Sequence, residues 1–111
     1  MLFFFRRSDI PDGSQLVLNV TGDTDKVAQV CTMSVDQNPS APLDPTQPLS
    51  LQSPHAYAVE LDITALAAAT VTIDVSVTAS GGVRVGVPFQ QEITAAANDL
   101  NTIRCDLATE N

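Results

Sequence analysis

Thr70-Val-Thr-Ile-Asp-Val-Ser-Val-Thr78 is the stretch that decides the fold. Val71, Ile73, Val75 and Val77 fall on one side of an extended chain, and Thr72, Asp74 and Ser76 on the other. Alternation with a period of two is the mark of a half-buried β-strand, whose successive side chains point to opposite faces. The same pattern recurs upstream, where Tyr57, Val59, Leu61 and Ile63 oppose Glu60 and Asp62. It recurs again near the end, where Ile103, Cys105 and Leu107 oppose Arg104 and Asp106.

Working outward, the stretch is followed by Ser80-Gly81-Gly82, and Val83, Val85 and Val87 form the next apolar phase. A two-residue Gly-Gly loop would send those valines to the wrong face. A three-residue loop ending in a left-handed glycine pairs Val77 with Val85, Val75 with Val87 and Ile73 with Phe89, and is the expectation. Pro88 lacks a backbone donor and demotes the end of that strand to an edge or a bulge. Nearer the start, Leu16, Leu18 and Val20 share a face, and Val27, Cys31, Met33 and Val35 follow after Gly22-Asp-Thr-Asp25. A four-residue hairpin loop over 22–25 would set Val20 against Val27, Leu16 against Cys31 and Val17 against Val30. The segments 64–69 and 94–98 are short, alanine-containing runs expected to form single helical turns.

Short strands with turn signals every 8–12 residues indicate an all-β fold: an antiparallel β-sandwich of about seven to eight strands. One domain over 1–111 is expected from the length. Residues 1–8 read as an N-terminal arm or edge strand. Residues 38–54 hold five of the seven prolines and read as an extended Pro-rich loop, with Leu49 to Gln52 as an edge strand. The segment Leu61-Asp-Ile-Thr-Ala-Leu66, followed by Thr70 to Val75, resembles the corner at which immunoglobulin-like domains cross between their sheets. The corner tyrosine and core tryptophan of those domains are absent, and jelly-roll topology stands as the alternative.

Composition narrows the function. The formal net charge is −8, and the five basic residues are Arg6, Arg7, Lys26, Arg84 and Arg104. Neutralising a phosphate backbone takes several clustered cations, so neither nucleic acid nor an anionic membrane is an expected partner. No apolar run approaches a membrane span of about 20 residues. The opening Met1-Leu-Phe-Phe-Phe-Arg-Arg7 has its cations on the wrong side of a short apolar run for a signal peptide, so a soluble protein made without Sec export is expected, cytoplasmic or within a virion. Cys31 and Cys105 have no metal spacing; as apolar-phase residues of strands they are expected to be buried free thiols rather than a disulfide.

The search for chemistry returns little. His55 is the only histidine and follows Pro54 at a loop-to-strand junction. No serine sits in a nucleophile elbow, and Gly81-Gly82 joins strands instead of leading into a helix, which excludes phosphate-cradling loops. Glu60, Asp62 and Asp74 would approach one another only if strands 57–63 and 70–78 paired. Asp23 with Asp25, and Asp9 with Asp12, supply carboxylates in turns, but Asp in turns bonds local backbone, and the full calcium-loop pattern is missing. No cofactor, no metal and no catalytic residue is expected; an enclosed cavity gathering His55 and several acids would contradict that.

Phe3-Phe4-Phe5 remains. Adjacent strand residues alternate faces, so all three rings cannot enter one core, and at least one must face outward or meet another chain. Leu2, Phe3, Phe4, Phe5, Arg6 and Arg7 are therefore the candidate interaction residues, with the arginines pairing with acidic surface on a neighbour. Pro42, Leu43, Pro45 and Pro48 of the proline-rich loop join them as a second candidate surface. The expected role is a non-enzymatic structural or assembly protein acting on itself or a protein partner. In overall style the chain is similar to small virion proteins of tailed phages, the head-decoration and tail components, which are Thr/Val/Ala-rich sandwiches. The alternative is a carbohydrate- or surface-binding β-sandwich module, which implies export, a Cys31–Cys105 disulfide and a ligand-facing loop over 38–54.

Overall fold

The computed structural model describes residues 1–111. Nine strands form in chain order: β1 (Leu2–Ile10), β2 (Ser14–Gly22), β3 (Val27–Val35), β4 (Ala41–Pro42), β5 (Leu49–Leu51), β6 (Ala56–Ala65), β7 (Ala69–Thr78), β8 (Phe89–Ala95) and β9 (Leu100–Thr109). They build two sheets packed face to face. One is five-stranded with the order β1-β9-β6-β3-β4, and the other four-stranded with the order β5-β2-β7-β8. This is compatible with a β-sandwich. No helix is long and apolar enough to cross a membrane.

The three alternating stretches are β6, β7 and β9, and each buries the face its sequence assigns. Val59, Leu61, Ile63, Val71, Ile73, Val75, Val77, Ile103, Cys105 and Leu107 all enter one shared core. β6 lies in the five-stranded sheet and β7 in the four-stranded one, so the chain does cross between sheets after Leu61–Leu66. The link is a bend over 66–68, not a helical turn, because β6 continues to Ala65 and β7 starts at Ala69. Residues 94–98 are likewise not helical: β8 runs on to Ala95, and Asp99 Oδ2 accepts a hydrogen bond from Ala96 N at 3.0 Å to close a tight turn.

Three expectations about pairing are corrected. First, β2 and β3 do not form a hairpin. β2 pairs with β7, Leu16 against Val77, Leu18 against Val75 and Val20 against Ile73, while β3 pairs with β6 in the other sheet. The turn between them is a corner. Asp23 N donates to Thr70 O and Asp23 Oδ2 accepts from Thr70 N, both at 3.0 Å, which ties the turn to the start of β7. Gly22 has φ +102°, and a Cβ there would stand 2.6 Å from Thr70 O, so only glycine permits the approach.

Second, the Ser80-Gly81-Gly82 loop is right for its first pairs only. Thr78 bridges Arg84, and Val85 N donates to Val77 O, as a three-residue loop requires. The register then slips by two residues, so that Val75 meets Phe89 and Ile73 meets Gln91. Gly86 at φ +75° and Pro88 lift the chain out of the ladder there, and Val87 is left exposed. Val83, also expected inward, is exposed directly after the loop, where its O accepts from Ala79 N.

Third, the sandwich is not wholly antiparallel. β1 runs parallel to β9, Leu2 beside Thr102 through Arg7 beside Leu107. Parallel strands need a long crossover between them, and here almost the entire chain supplies it. Residues 2–7 are thus an integral edge strand rather than a detached arm, with a register shift between Arg7 and Ile10. The segment 38–54 is a loop holding the two shortest strands; β5 is the edge strand foreseen at Leu49.

Candidate functional site

β1 ends the five-stranded sheet, and only one of its two backbone edges is used. Thr102 N donates to Met1 O at 2.9 Å, so the odd residues direct their backbone groups toward β9. By strand alternation, the N–H and C=O groups of Leu2, Phe4 and Arg6 then face the free side. Along this edge the only partner is local: Arg7 Nη1 donates to Arg6 O at 2.8 Å.

Side chains divide by the same parity. Phe5 is 4% exposed and belongs to the core, and Phe3 packs against it in part. Both rings meet Phe89 on the facing sheet, with centroids 6.4 and 6.5 Å away. Phe4 points the other way and is 58% exposed, beside Leu2 at 54%. One ring of the three is therefore left largely uncovered within the molecule.

The two arginines part company as well. Arg6 projects outward with its side chain 78% exposed, and its nearest carboxylate, Asp106, is 3.8 Å away. That carboxylate is already engaged at 3.0 Å by Arg104 Nε. Arg7 turns inward, its guanidinium 4.4 Å from the centre of the Phe5 ring, and it donates to Arg6 O and to Val87 O. Its Nε is buried without a partner. Arg7 thus sits in the inward phase of β1 and directs its guanidinium to groups of its own chain. Gly86 makes room for it, because a Cβ there would lie 2.5 Å from Arg7 Nε.

A depression of about 510 Å³ continues the β1 edge across the outer face of the sheet. Ala56, Ala58 and Ala108 are among its small lining residues, and Arg6, Arg104, Asp106, Ser8, Ser34 and Gln37 supply polar groups. Sequence reasoning missed it, since it needs β1, β9, β6 and the end of β3 placed side by side. The only signal was Ala56 and Ala58 at the start of the outward phase of β6.

The loop residues lie elsewhere. Pro42, in β4, pairs with Thr32 at the opposite edge of the same sheet. Leu43 donates its N–H to Cys31 O at 2.9 Å and packs against the core. Pro45 lines a small hollow with Leu18, Val20 and Gln29, and Pro48 is exposed before β5. The structure thus brings together Leu2, Phe4 and Arg6, and sets Pro42, Leu43, Pro45 and Pro48 on the far flank.

The remaining titratable groups hold the fold together. Asp36 Oδ2 lies 2.6 Å from His55 Nδ1, and its Oδ1 accepts from Ala56 N at 2.8 Å; the pair sits at the surface. The Ala56 N–H, followed by His55, holds the Asp36 carboxyl below the usual carboxylate range. Sequence gave no hint of this pair, whose members are 19 residues apart. Asp12 Oδ1 accepts from Ser53 N at 2.8 Å, and Asp23 caps the corner described above. Glu60 and Asp62 on β6 lie in a different sheet from Asp74 on β7, so the three do not converge. No group of three or more His, Cys, Asp or Glu side chains is gathered for a metal.

Cys31 and Cys105 are buried free thiols. Cys31 is the partner of Leu61 and Cys105 of Val59, on opposite sides of β6. Two strand spacings, roughly 9.5 Å, and a two-residue offset along β6 separate them, beyond the ~7 Å that a disulfide tolerates between Cα atoms. Burial first, and then the nearby Asp62 carboxylate, push the Cys31 thiol up to about 11. Burial also pushes Cys105 up to about 12, aided by Cys31 and Asp106. Neither is poised as a nucleophile.

No family model, curated protein or solved structure matches the chain.

Proposed function

We propose that this protein is a non-enzymatic structural module that works through protein–protein contacts made along β1. The observation that carries the reading is the free edge itself: nine residues long, with Leu2 and Phe4 exposed beside it and the backbone groups of both unpaired. An edge of this kind is a template for a further strand, and folded proteins ordinarily blunt it with proline, charge or a covering loop. From Leu2 to Phe5 none of these devices is present. A small virion component, such as a head-decoration or tail protein, is the setting we assign; the Thr/Val/Ala-rich sandwich character is what supports it. The carbohydrate-binding alternative gains nothing comparable. Its disulfide is out of reach, and Phe4 is the one largely exposed ring among Phe3, Phe4, Phe5, Tyr57 and Phe89.

Phe4→Pro tests the reading. The Phe4 N–H faces away from β9, so proline removes an outward donor and leaves the internal ladder intact. Light scattering of the wild-type chain over a concentration series is expected to show mass above the 11.7 kDa monomer, and Phe4→Pro to return it to the monomer. A wild-type chain and a variant that are indistinguishable monomers at every concentration would contradict the proposal.

A further inference from the structure

We infer that the depression on the outer face of the five-stranded sheet binds a monocarboxylate, a single carboxylate group on a short aliphatic stem. Its walls carry Arg6, Arg7 and Arg104 but only one acid, Asp106, in a chain whose net charge is −8. Glu60 stands across from Arg104 on the same face, outside those walls. Counting Glu60 as well, the cations still lead by three to two. One negative charge balances that excess, whereas a dianion would overshoot it beside Asp106. The site adjoins β1 but is made of side chains on the outer face, so it stands or falls apart from assembly along that edge.

The outward guanidinia keep donors in reserve. Arg104 donates to Asp106 Oδ1 through Nε at 3.0 Å, which fixes its plane and leaves Nη1 and Nη2 for a ligand. Arg6 is paired with the same carboxylate at 3.8 Å, near enough for the charges to attract and too far for a hydrogen bond. A planar guanidinium meets a carboxylate with two parallel bonds, which selects that group at this end of the site. The floor selects the stem. Ala58 stands between Asp106 on β9 and Ser34 on β3, and Ala56 stands beside Ala108. Methyl groups keep the sheet low where longer side chains would fill it, and they make no hydrogen bonds, so the part of a ligand lying over them is apolar. Gln37 closes the far side with Ser34. Its left-handed backbone, φ +64°, follows Asp36, which His55 Nδ1 and Ala56 N hold in place.

Two-dimensional NMR of the full chain, titrated with sodium pentanoate, tests the site. Pentanamide serves as the uncharged probe, and sodium chloride holds the ionic strength constant. The amide signals of Ala58 and Ala108 are expected to shift saturably with pentanoate and to stay still with pentanamide. Arg104→Gln is expected to weaken pentanoate binding by about tenfold or more. Arg84→Gln removes an equal charge from an exposed position outside the depression and should leave binding unchanged. Thermal unfolding checks each variant, and should Arg104→Gln fail to fold, Arg6→Gln at a largely exposed side chain carries the same test with a smaller loss. Equal weakening by Arg84→Gln and Arg104→Gln would reduce the effect to net charge and overturn the site. Equal shifts from both probes, or no saturable shift at all, would overturn it too. A blocked Val-Glu-Val tripeptide, with Val-Gln-Val as its control, then separates two sources of the same chemistry. Tighter binding than pentanoate identifies a glutamate side chain of a protein segment as the ligand, and binding no tighter identifies a free aliphatic acid.

Discussion

The two flanks of the sandwich handle their exposed edges in opposite ways. On one flank the five-stranded sheet ends in β4, two residues long and containing Pro42, and the four-stranded sheet ends in β5, three residues long. The proline-rich segment links these strands, and its turn is fixed by Asp44, whose Oδ1 accepts from Thr46 N at 2.9 Å and from Thr46 Oγ1 at 2.6 Å. Short strands and missing donors leave little for another chain to pair with. On the other flank β1 presents nine residues, begins with Leu2, Phe3, Phe4 and Phe5, and is unprotected over that run. The difference teaches that the open edge is not a general property of this fold. The same chain closes one side and leaves the other available.

The sharpest way to break this comparison lies within β1 itself. Phe5→Ala empties a core position packed against Phe89 and is expected to cost about 3–5 kcal/mol in denaturant unfolding. Phe4→Ala, one residue away, is expected to fall within about 0.5 kcal/mol under monomeric conditions. Equal losses at the two positions would mean that Phe4 is covered within the monomer and that the edge is not open.

The closed flank is sharpened by acid. The side-chain and backbone hydrogen bonds from Thr46 hold the Asp44 carboxyl below its ordinary value of 3.8. A carboxylate depressed in the folded state adds stability that is fully present above that ordinary value and lost as pH falls through the folded one. Stability measured against pH should therefore drop below about pH 4 by a smaller amount in Asp44→Asn than in the wild type. An unchanged acid limb would show that the Asp44 turn does not help to secure the proline-rich segment. The effect is expected to be the smaller of the two, since Asp44 is fully exposed.

How much of this was legible in the sequence depends on what kind of signal each part leaves. β6, β7 and β9 alternate cleanly because one face is core and the other is solvent, so their buried residues could be named from period alone. β2 and β3 also alternate, but Val17 and Val30 put apolar residues on their second faces, and a hairpin satisfied both faces as well as the true separate pairings did. The choice was made by Asp23 and Gly22 meeting Thr70, a contact spanning 47 residues that no local pattern announces. The parallel partnership of β1 with β9 joins the two ends of the chain and is invisible for the same reason. At the candidate site, parity alone required one of Phe3, Phe4 and Phe5 to face outward. Which one, and the inward turn of Arg7, depended on β1 lying above Phe89 and on the space left at Gly86.

Amide hydrogen exchange along β1 tests the central claim most directly. In dilute protein the amides of Phe3, Phe5 and Arg7, directed toward β9, should be protected, while those of Leu2, Phe4 and Arg6 exchange freely. Raising the concentration should slow the second set and leave the first unchanged. Protection of all six amides in the dilute monomer, or exchange of the even set that stays fast at every concentration, would contradict an open edge built to take another strand.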